Sequence, residues 1–171
     1  MNYNLISSLT NNLSKKQIKT ICQLKETQWS YGIESQLKWF KKNNKKKDIH
    51  NMLLINSKLV GYTSLRLRSC IVKKRIKKNY LLFDTLVLNK KFRGKKLSKL
   101  LMNLNCNVIN QSGFFSFLIC DKPLIKFYES FGWKLIDKHN LNMIDHPTSK
   151  YAMTFNNKLS KNTKYIFFVK K

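Results

Sequence analysis

Acidic side chains are scarce in this sequence: Asp and Glu together number 8 against 34 Lys and Arg in 171 residues, a formal charge of +26. A field of that sign repels polycationic molecules and draws in anions. Glycine and proline are also rare, at 5 and 2 residues, and no Pro/Gly/Ser linker or internal repeat divides the chain. One domain over residues 1–171 is therefore expected, with its motif-bearing core at about 52–155. No apolar run reaches the roughly 20 residues that cross a bilayer, so no membrane partner is expected. The start, Met1-Asn-Tyr-Asn-Leu-Ile, lacks the charged and apolar regions of a signal peptide, which makes a cytoplasmic location the expectation. Cys22, Cys70, Cys106 and Cys120 are far apart with no CxxC pair, arguing against both a disulfide framework and a zinc knuckle. His139, Asp145 and His146 match no ligand spacing and read as loop residues, so no metal is expected.

What is present is enough apolar content, 43%, to build a core rather than a disordered chain. The positive charge invites a nucleic-acid or ribosome-associated reading. Yet arginine, whose planar fork suits phosphate and guanine, occurs only at Arg66, Arg68, Arg75 and Arg93. Lysine and asparagine are abundant together, as AT-rich codons favour. A nucleic-acid partner is thus the disfavoured alternative.

Hydrophobic spacing orders the chain. Ile18, Ile21, Cys22 and Leu24 recur at near-helical intervals after Ser14, a suitable N-cap. A second helix is expected from about Glu34 to Lys42, burying Leu37 and Phe40 or Trp39, before a solvated basic loop over Lys41–Lys47. Met52–Ile55 and Leu59–Cys70 flank a short polar turn and read as a hairpin, with Leu65 and Leu67 on a buried face and Arg66 and Arg68 on a wet one. A basic turn, Lys73–Lys78, leads to a β-rich stretch, Tyr80–Leu88. Leu97, Leu100, Leu101, Leu104 and Val108 form a helical stripe ending near Gly113. A strand at Phe114–Cys120, a helix carrying Leu124, Ile125, Phe127 and Tyr128 that stops at Gly132, and strands at Trp133–Ile136 and Tyr151–Phe155 complete the series. Helices, three strands, helix, strand, helix, strands is the order of an α/β (α+β) fold with mixed strand directions.

Two segments carry chemistry. Lys90, Lys91, Arg93, Lys95 and Lys96 crowd the start of a helix, where the dipole disfavours cations; a bound polyanion would reverse that sign. The run Leu86-Val-Leu-Asn-Lys-Lys-Phe-Arg-Gly-Lys-Lys-Leu-Ser-Lys-Leu-Leu101 resembles the pyrophosphate-binding motif of the GNAT acetyltransferase superfamily, and locally it is most similar to aminoglycoside 2'-N-acetyltransferases. Arg93 takes the motif's first position. Lys96 and Ser98 replace its two signature glycines. Asp121-Lys-Pro-Leu-Ile-Lys-Phe-Tyr-Glu-Ser-Phe-Gly-Trp133 resembles the later family motif, with Asp121 at its asparagine position and Tyr128 at its tyrosine.

The resemblance implies a GNAT-like mixed, mostly antiparallel central sheet flanked by helices, and an acetyl-CoA-dependent N-acyltransferase acting by direct attack on the thioester. Leu86, Val87, Leu88, Arg93, Gly94, Lys95, Lys96, Leu97, Ser98 and Asp121 are then the cofactor-binding candidates, and acetyl-CoA the cosubstrate. Tyr128 becomes the acid that protonates the departing sulfur, against its alternative as a core aromatic beside Phe127. Asp84 becomes the base, against its alternative as an edge residue paired with a lysine. Trp29, Tyr31 and Trp39 fall where relatives build an acceptor pocket, although core packing is the preferred reading for them. The amine acceptor is a small molecule or protein, with a neutral or anionic one suiting the field better than an aminoglycoside or polyamine. The chain is expected to act as a monomer or homodimer. A degenerate member that binds coenzyme A without catalysis is the remaining alternative, motivated by Lys96.

Overall fold

The computed structural model describes residues 2–73, 75–144, 150–158 and 162–169. Nine strands and four helices follow in the order β1 (Tyr3–Leu9), α1 (Lys15–Glu26), α2 (Ile33–Asn43), β2 (Ile49–Ile55), β3 (Lys58–Val72), β4 (Ile76–Leu88), α3 (Leu97–Ser112), β5 (Phe115–Cys120), α4 (Ile125–Glu129), β6 (Lys134–Leu135), β7 (Leu141–Ile144), β8 (Tyr151–Phe155) and β9 (Tyr165–Phe168) among the described residues. The fold is α/β with a mixed, mostly antiparallel sheet: β1–β2, β2–β3, β3–β9, β5–β8 and β6–β8 pair antiparallel, and β4–β5 and β7–β9 parallel. The chain divides into two compact units, Met1–Arg66 with Asp84–Asn105, and Leu67–Phe83 with Cys106–Lys171.

In the first unit, Ser14 caps α1 through a reciprocal box: Gln17 N–H donates to Ser14 Oγ at 3.2 Å and Ser14 N–H to Gln17 Oε1 at 2.8 Å. The β2–β3 hairpin turns on Asn56 and Ser57, both left-handed at φ 48° and 62°, the type I′ geometry that matches strand twist. Ile21, Cys22, Leu24 and Phe40 of α1 and α2 pack on Met52, Tyr62 and Val87 of the strands. Leu97 and Leu101 of α3 pack on Leu53, Ile55 and Val60. Helices thus flank this part of the sheet on both faces. Gly61 makes the α3 side close: a Cβ there would meet Leu101 Cδ1 and Leu88 Cδ2 at 2.7 Å each. Asn51, Thr63 and Asn105, all fully buried, form a hydrogen-bonded polar cluster in which Asn105 Oδ1 accepts from Asn51 Nδ2 at 2.9 Å, while Asn51 Oδ1 is buried without a partner among the described residues.

In the second unit the core is aromatic. Tyr80, Phe115, Phe117, Tyr165 and Phe167 close around Cys70, Val72 and Leu82, with Phe117 and Phe167 stacked at 3.9 Å. The Tyr80 hydroxyl donates to Phe168 O at 3.1 Å. The β4–β5 ladder runs over Tyr80–Leu82.

Four expectations need correction. The chain opens on a strand, β1, not a helix. Arg66 and Arg68 lie on no wet face: both are buried, at 4% and 3% exposure, because this stretch of β3 is covered on both sides. The basic turn shrinks to the residues between Val72 and Ile76, since Ile76–Lys78 already belong to β4, and Lys74 lies outside the described residues. On α3 the fully buried line runs through Leu101, Met102, Asn105 and Ile109, while Leu104 and Val108 are only partly covered. Of the residues weighed as metal ligands, His139 is exposed next to a 3-10 turn, and Asp145 and His146 lie outside the described residues.

Candidate active site

The loop between β4 and α3 is built to expose backbone donors. Asn89 ends the strand, its N–H held by Val60 O at 2.8 Å and its Oδ1 accepting from Lys91 N at 3.1 Å. A 3-10 turn over Lys90–Phe92 follows. Gly94 and Lys96 then take left-handed φ of 78° and 59°. Among the described residues no hydrogen bond engages the N–H groups of Gly94, Lys95, Lys96, Leu97 or Ser98. Alternating left-handed residues that present consecutive N–H groups at a helix start form an anion-binding nest. Residues 93–96 are exposed, and the Arg93 guanidinium is held in place, donating from Nη2 to Gln28 Oε1 at 2.6 Å and from Nε to Leu88 O at 3.3 Å. Its remaining donors stay available. The residues present therefore fit a pyrophosphate group by the chemistry of their donors. Lys96 supplies the conformation a glycine would, at some steric cost.

The same unit holds a cavity of about 390 Å³ lined by Lys25, Trp29, Tyr31, Ser35, Gln36, Trp39, Asp84 and Thr85. The α1–α2 junction shapes it: Gln36 Nε2 donates to Trp29 O at 2.8 Å, Gly32 N–H to Glu26 Oε1 at 2.9 Å, and Gly32 enters α2 at φ 83°. Trp39 and Tyr31 are 36% and 71% exposed, so they wall the cavity instead of entering the core; Trp29 does both, packing against the buried cluster of α1, α2 and the strands as well. Asp84 Oδ1 sits 3.3 Å from Arg66 Nη1, with side-chain exposures of 23% and 5%. The partner of Asp84 is not the lysine expected for an edge residue but Arg66, the arginine expected on a wet face. Lys25, 6% exposed, lies with Nζ 3.8 Å from the Trp39 ring centroid, and the Arg66 guanidinium is 5.3 Å from the same ring. Burial pushes the Lys25 ammonium below its ordinary value; Asp84 and Cys22 oppose that shift and Arg66 adds to it.

Tyr128 belongs to the second unit. It is 7% exposed on α4, its ring meeting Phe83 at 6.0 Å, Trp133 at 6.1 Å and Phe127 at 5.2 Å. Its carbonyl accepts from Phe131 N and Trp133 N, which closes the helix before Gly132 at φ 83°. Burial, with the Cys120 sulfur as a lesser cause, pushes its phenol up to about 12. Asp121 follows β5 and is paired with Lys150 at 3.2 Å, its side chain 62% exposed.

The first unit therefore brings together Asp84, Leu86, Val87, Leu88 and the Arg93–Ser98 loop, whereas Tyr128 and Asp121 lie in the second. Lys25, Arg66, Gln36 and Thr85 went unseen in the sequence. A lysine near a helix end, in a chain full of lysines, carries no signal of burial.

A family model described as "Acetyltransferase (GNAT) family" matches residues 18–133. No curated protein matches by sequence. Among solved structures, the chain resembles ElaA of Escherichia coli, with TM-score 0.64 and 15% identity over 90% of this chain and 99% of that one. It likewise resembles an acyl-CoA N-acyltransferase from Pseudomonas aeruginosa, with TM-score 0.67 and 13% identity over 90% and 99%. PaiA N-acetyltransferase from Thermoplasma acidophilum, in complex with coenzyme A, aligns with TM-score 0.57 and 16% identity over 90% and 98%.

Proposed function

Since the chain belongs to the acetyltransferase (GNAT) family, we propose that it is a cytoplasmic N-acetyltransferase moving an acetyl group from acetyl-CoA to an amine held in the Trp29–Trp39–Asp84 cavity. The observation that carries this reading is the nest of free N–H groups from Gly94 to Ser98 at the start of α3. Those donors, with Arg93 and the surrounding lysines, hold the pyrophosphate. When bound, the cosubstrate supplies an activated thioester.

The remaining work falls to the chain. Asp84 takes the proton of the incoming ammonium, directly or through water, and Arg66 holds its carboxylate in place. Backbone N–H groups of Leu86–Leu88 receive the charge that develops on the carbonyl oxygen. Tyr128 gives its proton to the sulfur as the C–S bond breaks; a phenol held near 12 carries that proton throughout the neutral range. Asp84 passes that first proton to solvent before it takes the second, which the nitrogen loses as the C–N bond forms; the turnover leaves Asp84 protonated and Tyr128 as phenolate, and proton exchange through water restores both. Asp121, at the asparagine position of the motif that carries Tyr128, is the remaining cofactor-binding candidate.

A thermal-shift titration with acetyl-CoA tests the binding half, and no stabilisation at millimolar cosubstrate would refute it. Release of free thiol in the presence of an amine panel tests the transfer half. Strong, steeply salt-dependent RNA binding in place of both would point to the nucleic-acid reading.

A further inference from the structure

The cavity's charges do not balance. Lys25 on the cavity wall and Arg66, which meets the wall residues Asp84 and Trp39 from beside it, bring two cations against the single lining carboxylate, Asp84, and that carboxylate is engaged by Arg66 at 3.3 Å. Among the described residues Lys25 forms no ion pair, although it is 94% buried. Cys22 and His50, which also interact with Lys25 electrostatically, add no negative charge, since burial pushes the Cys22 thiol up and holds His50 neutral at about 4, and the nearby Glu26 turns one carboxylate oxygen to Gly32 N–H. A buried lysine whose nearest carboxylate is already paired with an arginine is costly unless something brings a further negative charge. The Trp39 ring offsets part of that cost by facing the ammonium.

We infer that the acceptor is an amino carboxylate: its carboxylate pairs with Lys25, its amine lies toward Asp84, and its apolar body rests against Trp29, Tyr31 and Trp39. This rests on the acyltransferase reading for the amine's fate, but the recognition itself needs no cosubstrate. A cavity of about 390 Å³ suits a small molecule, near the lower end of the roughly 300–1,000 Å³ of ligand pockets. The two cations repel a polyamine, whereas a zwitterion presents each end to an opposite charge. The chain's overall +26 acts in the same direction.

The test follows tryptophan fluorescence, since Trp29 and Trp39 line the cavity. Phenylalanine, leucine and glutamate are each titrated against their α-amides and the corresponding decarboxylated amines, without cosubstrate. At least one free carboxylate should bind tenfold or more tighter than its amide. Lys25→Met should bring that ratio within twofold, and Lys25→Arg should restore most of it, which guards against misfolding of the methionine variant. If no carboxylate in the panel outbinds its amide, or if the preference survives in Lys25→Met, the inference is overturned. Thermal shift with acetyl-CoA is measured on the same samples. Its loss in the wild-type protein would sink the acyltransferase reading while leaving the carboxylate preference to be judged separately.

Discussion

Arg66 Nη1 lies 3.3 Å from Asp84 Oδ1, and the pair sits under the same tryptophan that Lys25 faces. Three charges share one wall, so the two halves of the pair are not equivalent. Asp84→Asn leaves two buried cations without a counter-charge and should cost about 3 kcal/mol. Arg66→Met leaves Lys25 and Asp84 to balance each other and should cost only about 1 kcal/mol, since an apolar isostere fills the space. Urea unfolding of both variants checks the ordering, and an equal or reversed loss would show that the wall is not charge-coupled. Asp84→Asn should also slow turnover by a factor of about 100 or more if the carboxylate is the base.

Lys96 occupies the left-handed region at φ 59°. A side chain there costs roughly 1–2 kcal/mol relative to glycine, part of which is returned by the greater freedom of glycine in the unfolded chain. Lys96→Gly should therefore raise stability by about 0.5 kcal/mol, the reverse of a glycine placed within a helix, and Lys96→Val should lower it by about 1 kcal/mol. Denaturation midpoints decide the matter. If the backbone N–H and not the ammonium holds the pyrophosphate, the acetyl-CoA thermal shift should persist in Lys96→Gly.

Helices and central strands were legible because each buries one face, and burial imprints a period on the sequence. Ser14 and the Ile21–Leu24 spacing gave α1, and the short polar turn gave the β2–β3 hairpin. β1 left no such imprint: Tyr3, Leu5, Ile6 and Leu9 are 37–51% exposed on both of its faces. β3 failed in the opposite way. With both faces covered around Thr63–Arg66, alternation of arginine with leucine marks the two sides without saying which is wet. The loop between β4 and α3 could be located from its motif, but its positive φ values could not. The cavity was half visible, in Trp29, Tyr31, Trp39 and Asp84. Its cations stayed hidden, because a basic residue among 34 has no distinguishing context until the fold supplies one.

His50 offers a pH handle on the first unit. It is fully buried, stacked on Phe40, and bonded through Nε2 to Thr10 Oγ1 at 2.8 Å and through Nδ1 to the Tyr62 hydroxyl at 2.7 Å. Burial first, and the Lys25 charge second, push its imidazolium down to about 4 from 6.5. The unfolded chain takes up a proton that the native state refuses, so this stability is complete above about 6.5 and is lost as pH falls toward 4. The full loss is on the order of 3 kcal/mol. Urea unfolding at pH 7 and pH 4.5 should show most of it, and His50→Gln should flatten the difference. A wild-type protein equally stable at both values would contradict the buried neutral imidazole.

Tyr128 closes the argument about catalysis, because its hydroxyl can be removed with little disturbance of its ring contacts to Phe83, Phe127 and Trp133. Tyr128→Phe should change stability by less than about 1 kcal/mol, yet slow acyl transfer by about 10²–10⁴ if the phenol is the acid. The pH profile separates this role from a structural one. With the native phenol near 12, the wild-type kcat/KM should show no descending limb attributable to Tyr128 between pH 7 and about 10. A descending limb centred near pH 8.5 that disappears in Tyr128→Phe would mean that the hydroxyl titrates in open water, and unchanged turnover in the variant would remove it from the mechanism altogether.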